Sequence, residues 1–420
     1  MPIARGIAVA LLVSLMVPAV APASEKQSLS LAIAVQAARG RNPRVAASQF
    51  AIEAAFHSAD QAGKWPNPVF AAYQETFPGA VPGTSQFIAT ISQRIRIGGQ
   101  LGLAGKLATA RARVAQTDGA ASLARLTLAV QQLYVEAYSI QETLLAVGET
   151  RRRVQELLRA LELRHAEGDV SRFDVVRMRM ETESLAVQER QLAGDQRAGW
   201  ERLAGVTGLE VPATGWILDD PALEPAGPPA LATTSHEQAS EASGSVDARP
   251  DLVSAKRRVE AAEIYEKLAG RQGIPDVTVT LGYTRLDPGF NGLVWSIGGA
   301  LPLFDRNRDA RAAATAETHR RERERAAMTR EAIAERSAAW ESYRSASEAL
   351  KALAADTPDD LVVMARVAYE EGAMSVAGVL DAVRLQLDAR LRRNALSERR
   401  TRQWFQWRWA SGMSQEEISK

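Results

Sequence analysis

The sequence predicts a mainly α-helical fold built from two copies of one unit, each copy adding long coiled-coil helices to two β-strands of the kind found in membrane β-barrels. Three observations point there. The chain repeats itself at an offset of about 204–207 residues, apolar residues step along one long segment at heptad spacing, and four segments alternate apolar and polar residues over roughly ten positions each.

The first 23 residues stand apart. Arg5 precedes an apolar run, and Ala21-Pro22-Ala23 forms a small-residue site, so residues 1–23 read as a secretory signal peptide cleaved before Ser24. The run is too short to span a membrane as a helix. Among the 420 residues there is no cysteine, which excludes a disulfide framework, a thiolate metal site and a lipid anchor on cysteine. Removing the leader takes one of the 51 basic residues and leaves the charges balanced against 50 acidic ones, a composition that does not suggest a nucleic-acid partner. Beyond the leader no run of about 18 apolar residues occurs, so a mature chain that crosses a membrane must do so with strands.

The repeat divides the mature chain into a first unit at 24–208, an irregular connector at 209–248 and a second unit at 249–413. "RNPRVAASQFAIEAA" (41–55) returns as "ARPDLVSAKRRVEAA" (248–262), and "RIRIGGQ" (94–100) as "ALPLFDR" (300–306). "RHAEGDVSRFDVV" (164–176) returns as "AYEEGAMSVAGVL" (368–380), with Gly168 matching Gly372 and Ser171 matching Ser375, each 204 residues on. Each unit therefore reads as helix, two strands, long helix, the echoed phrase and a return helix. The connector is rich in Pro, Gly, Ser and Ala without a steady period.

The strands are expected near 69–77, 86–97, 276–285 and 293–302. Val277, Val279, Leu281 and Tyr283 face one way and Thr278, Thr280, Gly282 and Thr284 the other. Phe87, Ala89, Ile91, Ile95 and Ile97 share a face opposite Thr90, Ser92, Arg94 and Arg96, and Leu293, Trp295, Ile297 and Leu301 group together. The first strand is the weakest, with Val69, Ala71 and Tyr73 on its apolar side. A soluble antiparallel sheet with one wet face alternates equally well. Four strands cannot close a membrane barrel, which begins at about eight, and open edges cannot face lipid. Spanning strands would have to be pooled, and three copies would supply twelve.

Between the strands and the echoed phrase, Leu123, Leu126, Val130, Leu133, Ala137, Ile140, Leu144 and Val147 step by three and four, and Val154, Leu158 and Leu161 resume the rhythm. No proline interrupts 99–166, so one helix of ~100 Å is expected. The second unit repeats the seam through Ile333, Trp340, Tyr343 and Leu350, and Pro358 should interrupt it. Gly168 and Gly372 suit helix ends that need positive φ. Ser171 and Ser375 are candidate caps for the helices that follow.

Catalytic and metal chemistry is missing. "GGQLGLAGKL" (98–107) lacks the first glycine and the Ser or Thr of a phosphate loop. "DRNRDA" (305–310) lacks the glycine and closing glutamate of a calcium loop. His57, His165, His236 and His319 are never at ligand spacing, and no nucleophile motif appears. No cofactor is expected. "RQWFQWRWASG" (402–412) reads as helix packing in preference to an aromatic belt at a membrane surface.

Taken together these residues resemble the TolC-like outer-membrane efflux proteins over nearly all of the mature chain. "LPLFDRNR" (301–308), "PDVTVTLGY" (275–283), "WPNPVF" (65–70) and "IRIGGQ" (95–100) are most similar to the CzcC-like branch of cobalt–zinc–cadmium or nickel efflux systems. The resemblance implies a homotrimer whose twelve strands form one barrel in outer-membrane lipid and whose helices form a periplasmic tunnel. It implies a periplasmic adaptor and an inner-membrane RND pump as partners, and a passive, non-enzymatic duct, here for divalent heavy-metal cations. A duct for drugs or other organic compounds and a secreted coiled-coil structural protein are the rivals. The resemblance also assigns roles. Gly168, Ser171, Gly372 and Ser375 belong to tips that meet the adaptor. Asp174, Tyr369 and Asp381 match gate positions, with Met374 where family members often carry an arginine.

Overall fold

The computed structural model describes residues 27–77, 85–221, 246–287, 289–356 and 361–413. The expected leader and Pro358 lie outside them, as does residues 222–245 of the connector. In chain order the elements are β1 (Gln27–Leu29), α1 (Leu31–Arg41), α2 (Pro43–Ala62), β2 (Val69–Thr76), β3 (Ser85–Ile95), α3 (Gln100–Glu167), α4 (Arg172–Thr207) and β4 (Trp216–Leu218). The second half supplies α5 (Pro250–Gln272), β5 (Val277–Asp287), β6 (Phe290–Gly299), α6 (Arg308–Asp356), α7 (Leu361–Glu370) and α8 (Val376–Ala410). No described helix is long and apolar enough to cross a membrane.

The opening helix of the first unit is two helices. Asn42 takes an extended backbone and its Oδ1 accepts from the Arg44 N–H at 2.9 Å, while Pro43 occupies the first helical position, where no donor is needed. Pro250 holds the matching position at the start of α5, 207 residues later, though Arg249 before it makes no side-chain cap bond.

Helix α3 runs unbroken for 68 residues. It is not buried along a single heptad seam. Its middle stretch is enclosed on several sides because α1, α4, α8 and the small parallel β1–β4 sheet all pack there. Polar side chains serve this enclosure. The Tyr134 hydroxyl donates to the carbonyls of Leu29 and Asp219 at 2.7 and 2.8 Å, and Gln141 both donates to and accepts from the Leu218 backbone at 2.9 Å. The connector is thus not wholly irregular, since β4 lies inside it.

Helix α6 departs from the expected seam. Ile333 is exposed, and the buried row is Ala314, Ala332, Ala339 and Ala346. Methyl side chains let the neighbouring helices approach closely, Ala332 packing against Leu252 of α5 and Ala339 against the aromatic end of α8. Trp340 and Tyr343 instead join Trp404 and Trp407 in a stack with centroids 5.2–5.7 Å apart, which makes the C-terminal aromatic stretch a helix-packing cluster.

The second sheet is antiparallel and ordered β2-β3-β5-β6. Its strands start or stop a few residues from the expected limits. Ile97 and Leu301 fall beyond strand ends, and β6 begins at Phe290. Register settles the faces, since directly opposed residues share a side. Ile91 opposes Leu281, which opposes Trp295, and Ala89 opposes Tyr283, which opposes Leu293. Phe70 opposes Ile91 and Val69 opposes Ser92. The facing expected for β2 is therefore reversed: Phe70 and Ala72 belong to the apolar face, and Val69, Ala71 and Tyr73 to the polar one. On the polar face Ser92 and Thr280 share a hydrogen bond of 2.9 Å, and Gln86 Nε2 donates to Thr284 at 2.9 Å. The apolar face lies open, with Leu293 87% and Trp295 72% exposed.

Candidate functional site: the two helical turns

The two echoed phrases form two turns with the same backbone. At the end of α3, Gly168 has φ 91°. Its N–H donates to the His165 carbonyl at 3.0 Å and the Asp169 N–H to Arg164 at 3.0 Å. At the end of α7, Gly372 has φ 77°, donating to Tyr369 at 3.1 Å, while Ala373 donates to Ala368 at 2.8 Å. Both are the paired bonds of a Schellman motif, which satisfies the last helical carbonyls and requires the left-handed backbone that glycine adopts without strain.

Three residues on, each chain turns into its return helix through a serine. Ser171 Oγ accepts from the Asp174 N–H at 3.2 Å, and Ser375 Oγ from Gly378 at 3.3 Å. These bonds satisfy one free N–H at each helix start. The copies then diverge. Asp174 Oδ2 accepts a 2.6 Å bond from the Ser171 hydroxyl, and a carboxylate in the first turn favours the helix dipole. The matching position is Gly378, where a Cβ would lie 2.7 Å from Met374 Cγ, so the missing side chain makes room for Met374.

The turns lie side by side. Val175 and Met178 of α4 share a buried cluster with Val376 and Leu380 of α8, and Tyr369 packs against it. A cleft of about 230 Å³ lies between the helices, lined by Leu161, Arg164, Met178, Tyr369 and Val379 among others. Arg164 places its guanidinium 5.5 Å from the centre of the Tyr369 ring. The structure thus pairs Tyr369 with Arg164 and Asp174 with Ser171, and does not join Tyr369 to Asp174.

Asp381 is exposed on α8, one turn before Arg384. Arg384 bridges to Glu181 of α4, with Nε 3.2 Å from both carboxylate oxygens. The Glu181 bond, with a contribution from Asp381, raises the Arg384 pKa further. Sequence reasoning missed Arg164, Glu181 and Arg384. Arg164 stands at the head of the quoted phrase, but its partner lies 205 residues away. Around the turns Phe173 and Met180 are 71% and 69% exposed. No group of acidic, histidine or cysteine side chains among the described residues could hold a metal ion. The arrangement offers a capped helical end with exposed apolar residues.

The comparisons agree with this architecture. The profile of the outer membrane efflux protein family matches residues 34–209 and 244–412, one segment in each half. The chain belongs to that family, whose members are outer-membrane efflux channels. Among solved structures it is similar to a membrane protein from Pseudomonas aeruginosa at 18% identity and TM-score 0.76, covering 91% of this chain and 92% of that one. The outer membrane protein VceC from Vibrio cholerae gives 17% identity and TM-score 0.70, with 91% and 96% covered. The CmeC outer membrane channel of Campylobacter jejuni gives 15% and 0.73, with 91% and 85% covered. At these identities the likeness is one of fold. No curated sequence matches the chain.

Proposed function

We propose that three copies of the chain assemble into the passive outer-membrane exit duct of a tripartite efflux system, joined below by a periplasmic adaptor and an inner-membrane RND pump. The observation that carries this reading is the unfinished sheet. Four strands leave β2 and β6 with unpaired edges beside an apolar face open to the surroundings. Lipid tolerates neither edge. Twelve pooled strands remove both and put the apolar faces against lipid, with Ser92, Thr280 and their neighbours toward a wet lumen.

In that assembly the two turns of each copy form six tips at the far end of the helices. The four turn residues Gly168, Ser171, Gly372 and Ser375 hold those tips in the shape that an adaptor's helical hairpins meet. Tyr369 acts in the gate through its contact with Arg164, Asp381 lines the closing ring, Met374 takes the place of a charged latch residue, and Asp174 contributes through its cap. The cargo is divalent heavy-metal cations, on the resemblance of 275–283 and 301–308 to the CzcC-like branch.

The test is the fractionation of the mature protein and its mass in detergent with and without boiling. An outer-membrane trimer that dissociates on boiling is expected, and a soluble monomer overturns the duct. A deletion strain should then lose tolerance to cobalt, zinc, cadmium or nickel. Unchanged metal tolerance with new drug sensitivity would assign the duct to organic cargo.

A further inference from the structure

Where the sheet meets the helices, the polar face ends in arginines. Arg94 lies on β3 opposite Thr278, on the side of Ser92 and Thr280. Arg96 follows, one residue beyond the end of β3, and lines the same cleft. They border an open cleft of about 570 Å³ whose wall continues onto the helices through Gln100 and Ala104 of α3 and Leu268 and Gln272 of α5. Two turns along α3 from Ala104, Arg111 lines the next cleft on the same side, beside Leu107 of α3 and Ala261 of α5. The spacing 100, 104, 107, 111 keeps one helix face throughout.

These arginines are poorly neutralised. Arg94 and Arg111 are exposed, and neither side chain has an ion pair or hydrogen bond among the described residues. Arg96 approaches a single carboxylate, Asp276, at 4.0 Å. Asp276 is the one acidic residue of the upper cleft. The other arginines nearby are satisfied, as Arg258 is by Asp118 and Arg321 by Glu317. Arginines outnumber carboxylates in both clefts, against Asp276 in the upper and Glu317 in the lower. Such an excess of one sign concentrates counter-ions, while guanidinium groups present paired donors that match carboxylate and phosphate oxygens.

We propose that Arg94, Arg96 and Arg111 form an anion-holding collar at the base of the barrel, taking multivalent oxyanions or carboxylates. The inference rests on the duct reading, which turns this face to the lumen and brings three copies of each arginine around one axis. The collar sets the form in which cargo leaves. A bare divalent cation is repelled there, whereas one accompanied by an anion, or bound in an anionic complex, passes.

The test is titration of the full mature chain in detergent, at low salt, with inorganic pyrophosphate followed by calorimetry. The variants are R94Q/R96Q/R111Q, the charge-keeping R94K/R96K/R111K, and R113Q, whose arginine lines a cleft on the other side of the helical layer. The glutamine triple should bind about tenfold more weakly or worse, given the loss of several charge-assisted bonds. The lysine triple, which keeps the charge but loses the paired donors, should fall between the parent and the glutamine triple, and R113Q should match the parent. Equal binding by the glutamine triple, or none by the parent, overturns the collar. The mass of the same preparation reads the assembly separately: a monomer defeats the duct, and a trimer without the arginine dependence defeats the collar alone.

Discussion

The Arg164 guanidinium lies 5.5 Å from the centre of the Tyr369 ring, joining the last turn of α3 to the last turn of α7. The two residues belong to different halves of the chain, so the contact ties one tip of a protomer to the other. A cation over an aromatic face contributes about 0.5–2 kcal/mol. Arg164→Ala should therefore raise the open fraction of the tips about fivefold for a loss of about 1 kcal/mol. Single-channel recording in planar bilayers checks this, and Arg164→Lys, which keeps the charge, should restore most of the closed time.

The two turns differ in what their serines hold, and that difference is measurable. Ser171 caps α4 and also bonds the Asp174 carboxylate, whereas Ser375 caps α8 alone. Ser171→Ala should loosen its turn more than Ser375→Ala, each within about 0.5–2 kcal/mol for a lost cap. Gly168→Ala and Gly372→Ala should each cost about 1–2 kcal/mol through the left-handed backbone, because a Cβ at either site meets nothing within 4 Å. Hydrogen exchange of the amides flanking each turn reports these changes. Equal protection loss for the two serine variants would show that the Asp174 bond adds nothing.

The turns were legible because Gly-x-x-Ser is a local phrase whose backbone demand does not depend on distant partners. The long helix was legible too, from the absence of proline through 99–166. What failed were features decided by a partner. The face of β2 could not be read from "VFAAYQETF", where Val69 and Tyr73 on one side compete with Phe70 on the other; only the pairing of Phe70 with Ile91 decides it. The seam of α6 was misplaced onto Ile333 because alanine carries a weak hydrophobic signal, yet close helix approach selects it. Asp174 matches a gate position in sequence, and within one chain its carboxylate accepts from the Ser171 hydroxyl, a local bond that the phrase Ser-x-x-Asp already places within reach.

Arg249 and Asp251 bind the start of α5 to its neighbours. Arg249, 7% exposed, donates to both Asp251 oxygens at 2.8 Å and to Glu335 at 2.6 Å, and lies 5.2 Å from the Trp409 ring centre. Burial alone would raise the Asp251 pKa, but the Arg249 hydrogen bond and charge, helped by Arg125, outweigh it and hold the carboxyl below its ordinary value. A group depressed on folding stabilises the fold above its unfolded pKa of about 4 and loses that contribution as the pH falls through the folded value. Thermal unfolding of the parent should thus shift downward below about pH 4, and Asp251→Asn should flatten that limb. At neutral pH Arg249→Ala should cost about 3 kcal/mol by leaving a buried carboxylate with only the longer 3.4 Å contact to Arg125. Asp251→Ala combined with Arg249→Ala should cost less than the two single changes together.

The reversed facing of β2 makes the sharpest test of which side of the sheet meets lipid. Phe70 shares its face with Ile91, Leu281 and Trp295, and Val69 with Ser92 and Thr280. Both side chains are apolar and both are open in the single chain, at 69% and 63% exposure, so composition and burial do not separate them. Lipid does. An arginine on the lipid face of a barrel costs about 2–4 kcal/mol near the bilayer centre and little at the interface or in the lumen. Val69 sits at the helix-side end of β2 and Phe70 beside it, so depth is matched and facing is the variable. Phe70→Arg should lower the yield of heat-dissociable trimer in the outer-membrane fraction, and Val69→Arg should leave it close to the parent. Trp295→Arg and Thr280→Arg provide the same contrast on the neighbouring strands, in the register rows of Phe70 and Val69 respectively. If Val69→Arg proved the more damaging of the first pair, the face carrying Ser92 and Thr280 would be the one against lipid, and the lumen would lie on the other side.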